Sequence, residues 1–165
     1  MTQTEIEIPE QKPISLQTYE TELLFDSAFI TKAAECVKAA KRRVYICAYA
    51  WRWYENSPEK SIQKFNYEIA RRSLLGLDIR AILNQRTQAS YLQQYGISTR
   101  TFPTDRAMHT KAILVDDDTL LIGSHNLTDR GTDENYEISV LVQDPQACML
   151  FAEYFEKMWQ NYGVQ

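Results

Sequence analysis

Apolar positions follow two alternating rhythms along the chain. Thr21–Phe25 (TELLF), Arg43–Trp51 (RVYICAYAW), Asp78–Leu83 (DIRAIL) and Ile97–Phe102 are short apolar segments and predict strands. Ala28–Ala40 and Lys60–Leu75 carry apolar residues at helical spacing, the second ended by Gly76, and Gln88–Tyr95 predicts a short helix closed by Gly96. A hairpin is expected across residues 108–126, then a strand at Tyr136–Val142 and a terminal helix from Pro145 to about Tyr162. Strands separated by helices imply βαβ units. The expected fold is α/β, a mixed, largely parallel β-sheet flanked by helices on both faces, with the hairpin as its antiparallel part. Residues 1–15 read as a flexible acidic arm and residues 16–165 as one domain, long enough to bury a sizeable core.

A hydrophobic content of 44% with 24% charged residues excludes a disordered or fibrous chain. The longest apolar runs are too short to span a bilayer, so no membrane insertion is expected. The N-terminus lacks the apolar stretch of a secretory signal. Three cysteines without metal-ligand spacing, beside two histidines, argue against a zinc site and for reduced thiols in a cytoplasmic protein. The net charge of −4 hides an uneven distribution: −5 over residues 1–26, +9 over 27–115 and −8 over 116–165. The middle of the chain is basic enough to form a local phosphate-binding patch.

The densest chemistry lies in the hairpin, MHTKAILVDDDTLLIGSHN. A turn centred between Asp117 and Asp118 pairs His109 with Asn126 and Lys111 with Ser124. Side chains alternate along a strand, so this register puts an imidazole, an ammonium, a hydroxyl and an amide on one face, where a phosphate could sit. Gly123 beside Ser124 allows close backbone approach. His125 points to the other face and reads as a structural histidine.

His109-x-Lys111-x4-Asp116-x6-Gly123-Ser124-x-Asn126 resembles the phospholipase D superfamily signature at every specified position. The order of strands and helices and the downstream Asn135-Tyr136-Glu137 are similar to that family as well, which implies a phospholipase D/nuclease-like fold. The resemblance implies that His109 is the nucleophile toward phosphorus and that Glu137 orients its ring. Lys111 and Asn126 would then neutralise the non-bridging oxygens, with Ser124 supporting the site by hydrogen bonds. Asp116, at the strand end with opposite parity, reads as a brace for the turn. No carboxylate cluster for Mg²⁺ is evident in the sequence, so neither a metal nor another cofactor is expected.

One imidazole cannot serve as nucleophile and leaving-group acid in the same step. The second must come from another chain, which calls for a homodimer with a composite active site. The resemblance implies the same, since short single-motif members are similar to homodimeric nucleases. Nucleic acid is the expected substrate partner: Trp51, Arg52 and Trp53 lie in the aromatic stretch from Tyr49 to Tyr54, which as a loop after a parallel strand could stack bases and contact phosphates, and Arg106 lies three residues before His109. The alternatives are a phospholipid phosphodiesterase or phosphatidyltransferase, and a nucleic-acid-binding subunit of a larger complex.

Overall fold

The computed structural model describes residues 20–84, 86–101 and 107–161. Its elements run β1 (Glu20–Phe25), α1 (Ala28–Ala39), β2 (Arg43–Ala48), α2 (Ser61–Leu74), β3 (Asp78–Leu83), α3 (Arg86–Gln94), β4 (Ser98–Thr101), β5 (Ala112–Val115), β6 (Thr119–Gly123), a π-helical turn (Arg130–Glu134), β7 (Ile138–Gln143) and α4 (Pro145–Asn161). The arm at residues 1–15 and Arg106 lie outside the described residues.

The strands form one sheet in the order β1-β7-β6-β5-β2-β3-β4. The mixed α/β class holds, with one correction. Only β2-β3 and β3-β4 are parallel neighbours, and the other four pairings are antiparallel. The reason is connectivity. The β5–β6 hairpin reverses the chain beside β2, β7 returns beside β6 through the segment that holds the π-helical turn, and β1 closes the edge against β7. Five of the seven strands still share one direction, with β5 and β7 running against them.

Period-two alternation divides the core. Val44, Ile46 and Ala48 of β2 face one layer with Phe29, Ile30 and Ala33 of α1, Ile62, Phe65 and Ile69 of α2, and Leu92 of α3. Tyr45 and Cys47 face the other, with Cys148, Phe151, Phe155 and Met158 of α4. Helices α2 and α3 end on Gly76 (φ +92°) and Gly96 (φ +75°), left-handed positions that let the chain turn directly into β3 and β4. Among the described residues no helix is long and apolar enough to cross a membrane.

This arrangement gathers six strand ends at one edge of the sheet. The carboxyl ends of β1, β2, β3 and β6 meet the amino ends of β5 and β7 there.

Candidate active site

The hairpin turns on Asp117 and not between Asp117 and Asp118, which shifts the pairing register by one residue. Val115 pairs with Thr119 across a three-residue loop, and Ala112 pairs with Ile122. Asp116 is the cause: it sits at φ +52°, a conformation Asp tolerates. Its carboxylate accepts backbone N–H bonds from Lys41 (2.9 Å), Arg42 (2.8 Å) and Arg43 (3.1 Å). Burial opposes its charge, but these three donors hold its carboxyl below the ordinary carboxylate range. Asp116 thus braces the turn at the end of β5 remote from Lys111, in keeping with its structural reading.

The slipped register removes the expected pairing of His109 with Asn126 and of Lys111 with Ser124. Lys111 lies across from Gly123, whose N–H donates to the Lys111 carbonyl at 3.2 Å. His109 and Lys111 precede β5, and Ser124 and Asn126 follow β6. Pleat parity therefore does not bring them to the same edge; the strand ends do.

Two groups of side chains form there. In the first, Lys111 Nζ lies 3.3 Å from His109 Nδ1 and donates to the His109 carbonyl at 2.9 Å. The Tyr49 ring, just past β2, lies 4.7 Å from the exposed His109 ring and 5.3 Å from Lys111 Nζ. Burial lowers the Lys111 pKa below the ordinary lysine value, and the charge of Glu137 opposes that shift. The segment is anchored by Met108, whose N–H donates to Asn84 Oδ1 at 3.1 Å just beyond β3.

In the second group, the Ser124 hydroxyl donates to Glu137 Oε2 and accepts from the Ile138 N–H at 3.1 Å. Asn135 Nδ2 reaches Glu137 Oε1 at 3.2 Å. The Glu137 backbone is pinned to Asp26, its N–H donating to Asp26 Oδ1 at 2.9 Å and its carbonyl accepting from the Asp26 N–H at 3.0 Å. Among the described residues no hydrogen bond joins Glu137 to His109; the carboxylate is instead held by Ser124 and Asn135. Gly123 does permit a close approach, but to β7: a Cβ there would stand 2.4 Å from Ser139 Cα. Asn126 lies between the strand end and the π-helical turn, and among the described residues its Oδ1 is buried without a hydrogen-bond partner.

His125 is structural. It is buried, stacked on Phe29 at 4.3 Å, with Nδ1 2.6 Å from Ser139 Oγ and Nε2 2.9 Å from the Asp26 carbonyl. Burial lowers its pKa below the ordinary histidine value.

The substrate-binding expectations need revision at two positions. Trp51 is a core residue, 2% exposed, with its indole N–H donating to Asn66 Oδ1 at 2.7 Å. Trp53 is half-buried, stacked on Tyr95 at 4.9 Å. Apolar burial claims both rings, as it does most large aromatics. Arg52 remains exposed between them. Asn84 and Asp26 carry no sequence motif, and Tyr49 stands in the sequence only as the start of the aromatic stretch. Each directly follows a strand end at the same sheet edge, and that position was the available signal.

Residues 34–159 match the family described as cardiolipin synthase, PLD-like domain. The chain is 26% identical over 160 residues to the mitochondrial cardiolipin hydrolase of Homo sapiens, covering 95% of this chain and 58% of that protein. It spans three fifths or less of the length of the curated relatives it matches. Its fold is similar to the phospholipase D family member Nuc from Salmonella typhimurium (TM-score 0.74, 19% identity, 87% of this chain and 95% of that one). It is likewise similar to NucT from Helicobacter pylori (TM-score 0.71, 17% identity, 88% and 99%).

Proposed function

The chain belongs to the phospholipase D superfamily of phosphodiesterases, and on that premise we propose that it is a metal-independent endonuclease acting through a covalent phosphohistidine intermediate in a homodimer. The observation that carries this reading is the convergence of His109, Lys111, Ser124, Asn126 and Glu137 on one sheet edge.

A ring nitrogen of His109 attacks phosphorus and the bond to the leaving oxygen breaks. The imidazolium of the partner copy's His109 gives that oxygen its proton. Water then attacks the phosphohistidine, losing a proton to the now neutral partner imidazole as the P–N bond breaks. The ammonium of Lys111 and the amide of Asn126 stabilise the charge on the non-bridging oxygens. Glu137, carried by Ser124, Asn135 and Asp26, is the carboxylate available to orient His109 once phosphate draws Lys111 away.

An uncovered apolar sheet face supports the dimer. Leu23 (61% exposed), Phe25 (56%), Ile122 (37%) and Ile138 (47%) lie on one side of β1, β7 and β6, with Phe25 opposite Ile138 and both Leu23 and Ile122 opposite Val140. The face adjoins Ser124 and Glu137. A second copy seated on it covers the patch and brings a second His109 toward the same phosphorus. The basic middle of the chain and the exposed Arg52 beside the site favour a polyanion over a lipid as substrate. Free cysteines, two of them buried, fit a cytoplasmic placement.

The cardiolipin hydrolase relatives favour a second reading, a phospholipid phosphodiesterase. One assay separates the two. Single-stranded and double-stranded DNA and RNA, and in parallel cardiolipin vesicles, are incubated in EDTA with the wild type and His109→Ala. Cleavage of nucleic acid by the wild type alone is expected. Cleavage confined to cardiolipin overturns the nuclease reading. Nucleic-acid binding without cleavage, unchanged by His109→Ala, makes the chain a binding subunit of a larger complex.

A further inference from the structure

Among the described residues Asn126 Oδ1 is buried and accepts no hydrogen bond, so the place of that oxygen is set through the backbone that carries it. That backbone is gripped from two sides. On one, the Leu127 N–H donates to the Ala50 carbonyl at 3.0 Å and the Arg52 N–H to the Leu127 carbonyl at 2.9 Å. On the other, Gly131 of the π-helical turn packs so tightly that a Cβ there would stand 2.4 Å from the Asn126 carbonyl oxygen.

The two sides are tied by one polar cluster outside the catalytic set. The Tyr54 hydroxyl donates to Asp129 Oδ1 at 2.5 Å and lies 3.1 Å from the Asp129 N–H. Lys60 Nζ reaches Asp129 Oδ2 at 2.9 Å and stands 5.1 Å from the Tyr54 ring. Asp129 also accepts from the Arg130 N–H at 3.0 Å and so caps the π-helical turn. On the Tyr54 side, Gln63 Oε1 accepts the Tyr54 N–H at 2.7 Å and Asn66 Nδ2 holds the Arg52 carbonyl at 2.9 Å. The Tyr54 hydroxyl, outweighing burial and aided by Lys60, holds the Asp129 carboxyl down to about 2. The carboxylate is therefore charged wherever the enzyme would work. A π-helical turn beside a site is a frequent functional device, and here it needs an external brace to keep its register.

We propose that Tyr54, Asp129 and Lys60 form a clamp that positions the Asn126 amide for the transition state. The clamp joins the 50–60 loop to the π-helical turn, so the two walls around Asn126 move as one. Its members are positioning residues, because none of them touches the reacting atoms. The proposal rests on the reading of Asn126 as a ligand to the phosphoryl oxygens.

The test uses the full chain and the small phosphodiester bis(p-nitrophenyl) phosphate, with kcat and KM measured for Tyr54→Phe, Lys60→Met, Asn126→Ala and each clamp variant combined with Asn126→Ala. Displacement of a catalytic group by about 1 Å costs on the order of 10²-fold, so kcat in Tyr54→Phe should fall about 10- to 100-fold with KM within about twofold. Lys60→Met removes an outer tie and should give a smaller loss of the same kind; it also serves if Tyr54→Phe fails to fold. In the Asn126→Ala background both losses should vanish, since there is no amide left to misplace. A kcat within about twofold of wild type for both clamp variants overturns the clamp. So does a loss that persists undiminished without Asn126, which marks a general structural role. Wild-type turnover in Asn126→Ala sinks instead the reading of the site, and the clamp with it.

Discussion

Lys111 Nζ lies 3.3 Å from His109 Nδ1 while bonded to the His109 carbonyl. An ammonium has no lone pair, so this contact fits Nδ1 as the acceptor, with the ring hydrogen on Nε2. Attack through Nε2 requires the other tautomer, with the hydrogen on Nδ1. In the proposed mechanism, phosphate draws Lys111 away and frees Nδ1 to donate to a carboxylate, the role proposed for Glu137. ¹⁵N NMR of the His109 ring should therefore show the Nε2–H form in the free protein and a shift toward Nδ1–H on saturation with inorganic phosphate. Lys111→Met should show that shift without phosphate and lose on the order of 10²–10³ in turnover. One tautomer in all three samples would sink the idea.

Gly123→Ala should destabilise the fold and disturb the site together. Its Cβ would stand 2.2 Å from Ser139 Oγ and 2.5 Å from the Ile138 carbonyl oxygen. Backbone cannot yield as a flexible side chain can, so β6 and β7 must part, at a cost of about 3 kcal/mol. Ser124, which grips Glu137 and Ile138 from the next position, moves with them. The check is the urea midpoint read beside turnover; an unchanged midpoint contradicts the close approach.

His125 makes stability depend on pH. Burial lowers its folded pKa below the unfolded value of about 6.5. The unfolded chain then takes up its proton first, so this contribution is complete above about pH 6.5 and is lost as pH falls toward the lowered folded value. Below that value both states are protonated and the loss levels off. His125→Gln should be less stable at neutral pH and show a flatter slope just below pH 6.5 in urea unfolding. An identical slope in wild type and variant removes His125 as the cause.

Dimerisation through the β1–β7–β6 face is open to direct measurement. Ile138→Asp or Phe25→Glu places a charge in the apolar patch and should shift the species in light scattering to the 19.2 kDa monomer, with turnover lost. Mixing wild type with excess His109→Ala should depress activity below the wild-type fraction, because mixed dimers lack one of the two imidazoles. Activity that simply tracks the wild-type fraction shows that each chain works alone.

What was legible in the sequence and what was not divide along the range of the forces involved. Helix and strand placement follows from local periodicity, so α1, β3 and α4 fall within a residue of their expected ends. The spacing of His109, Lys111, Ser124 and Asn126 likewise stands in the sequence alone, as does the structural character of Asp116 and His125. The register of the hairpin did not, because it depends on three backbone N–H groups of residues 41–43 that capture Asp116 from some seventy residues away. The burial of Trp51 turns on Asn66 of α2, and the hold on Glu137 on Asp26 after β1. Such contacts join segments remote in the chain, and no local pattern announces them. Local sequence chose the elements and the chemical groups. The sheet order, which joins six strand ends at one edge, decided that those groups would meet.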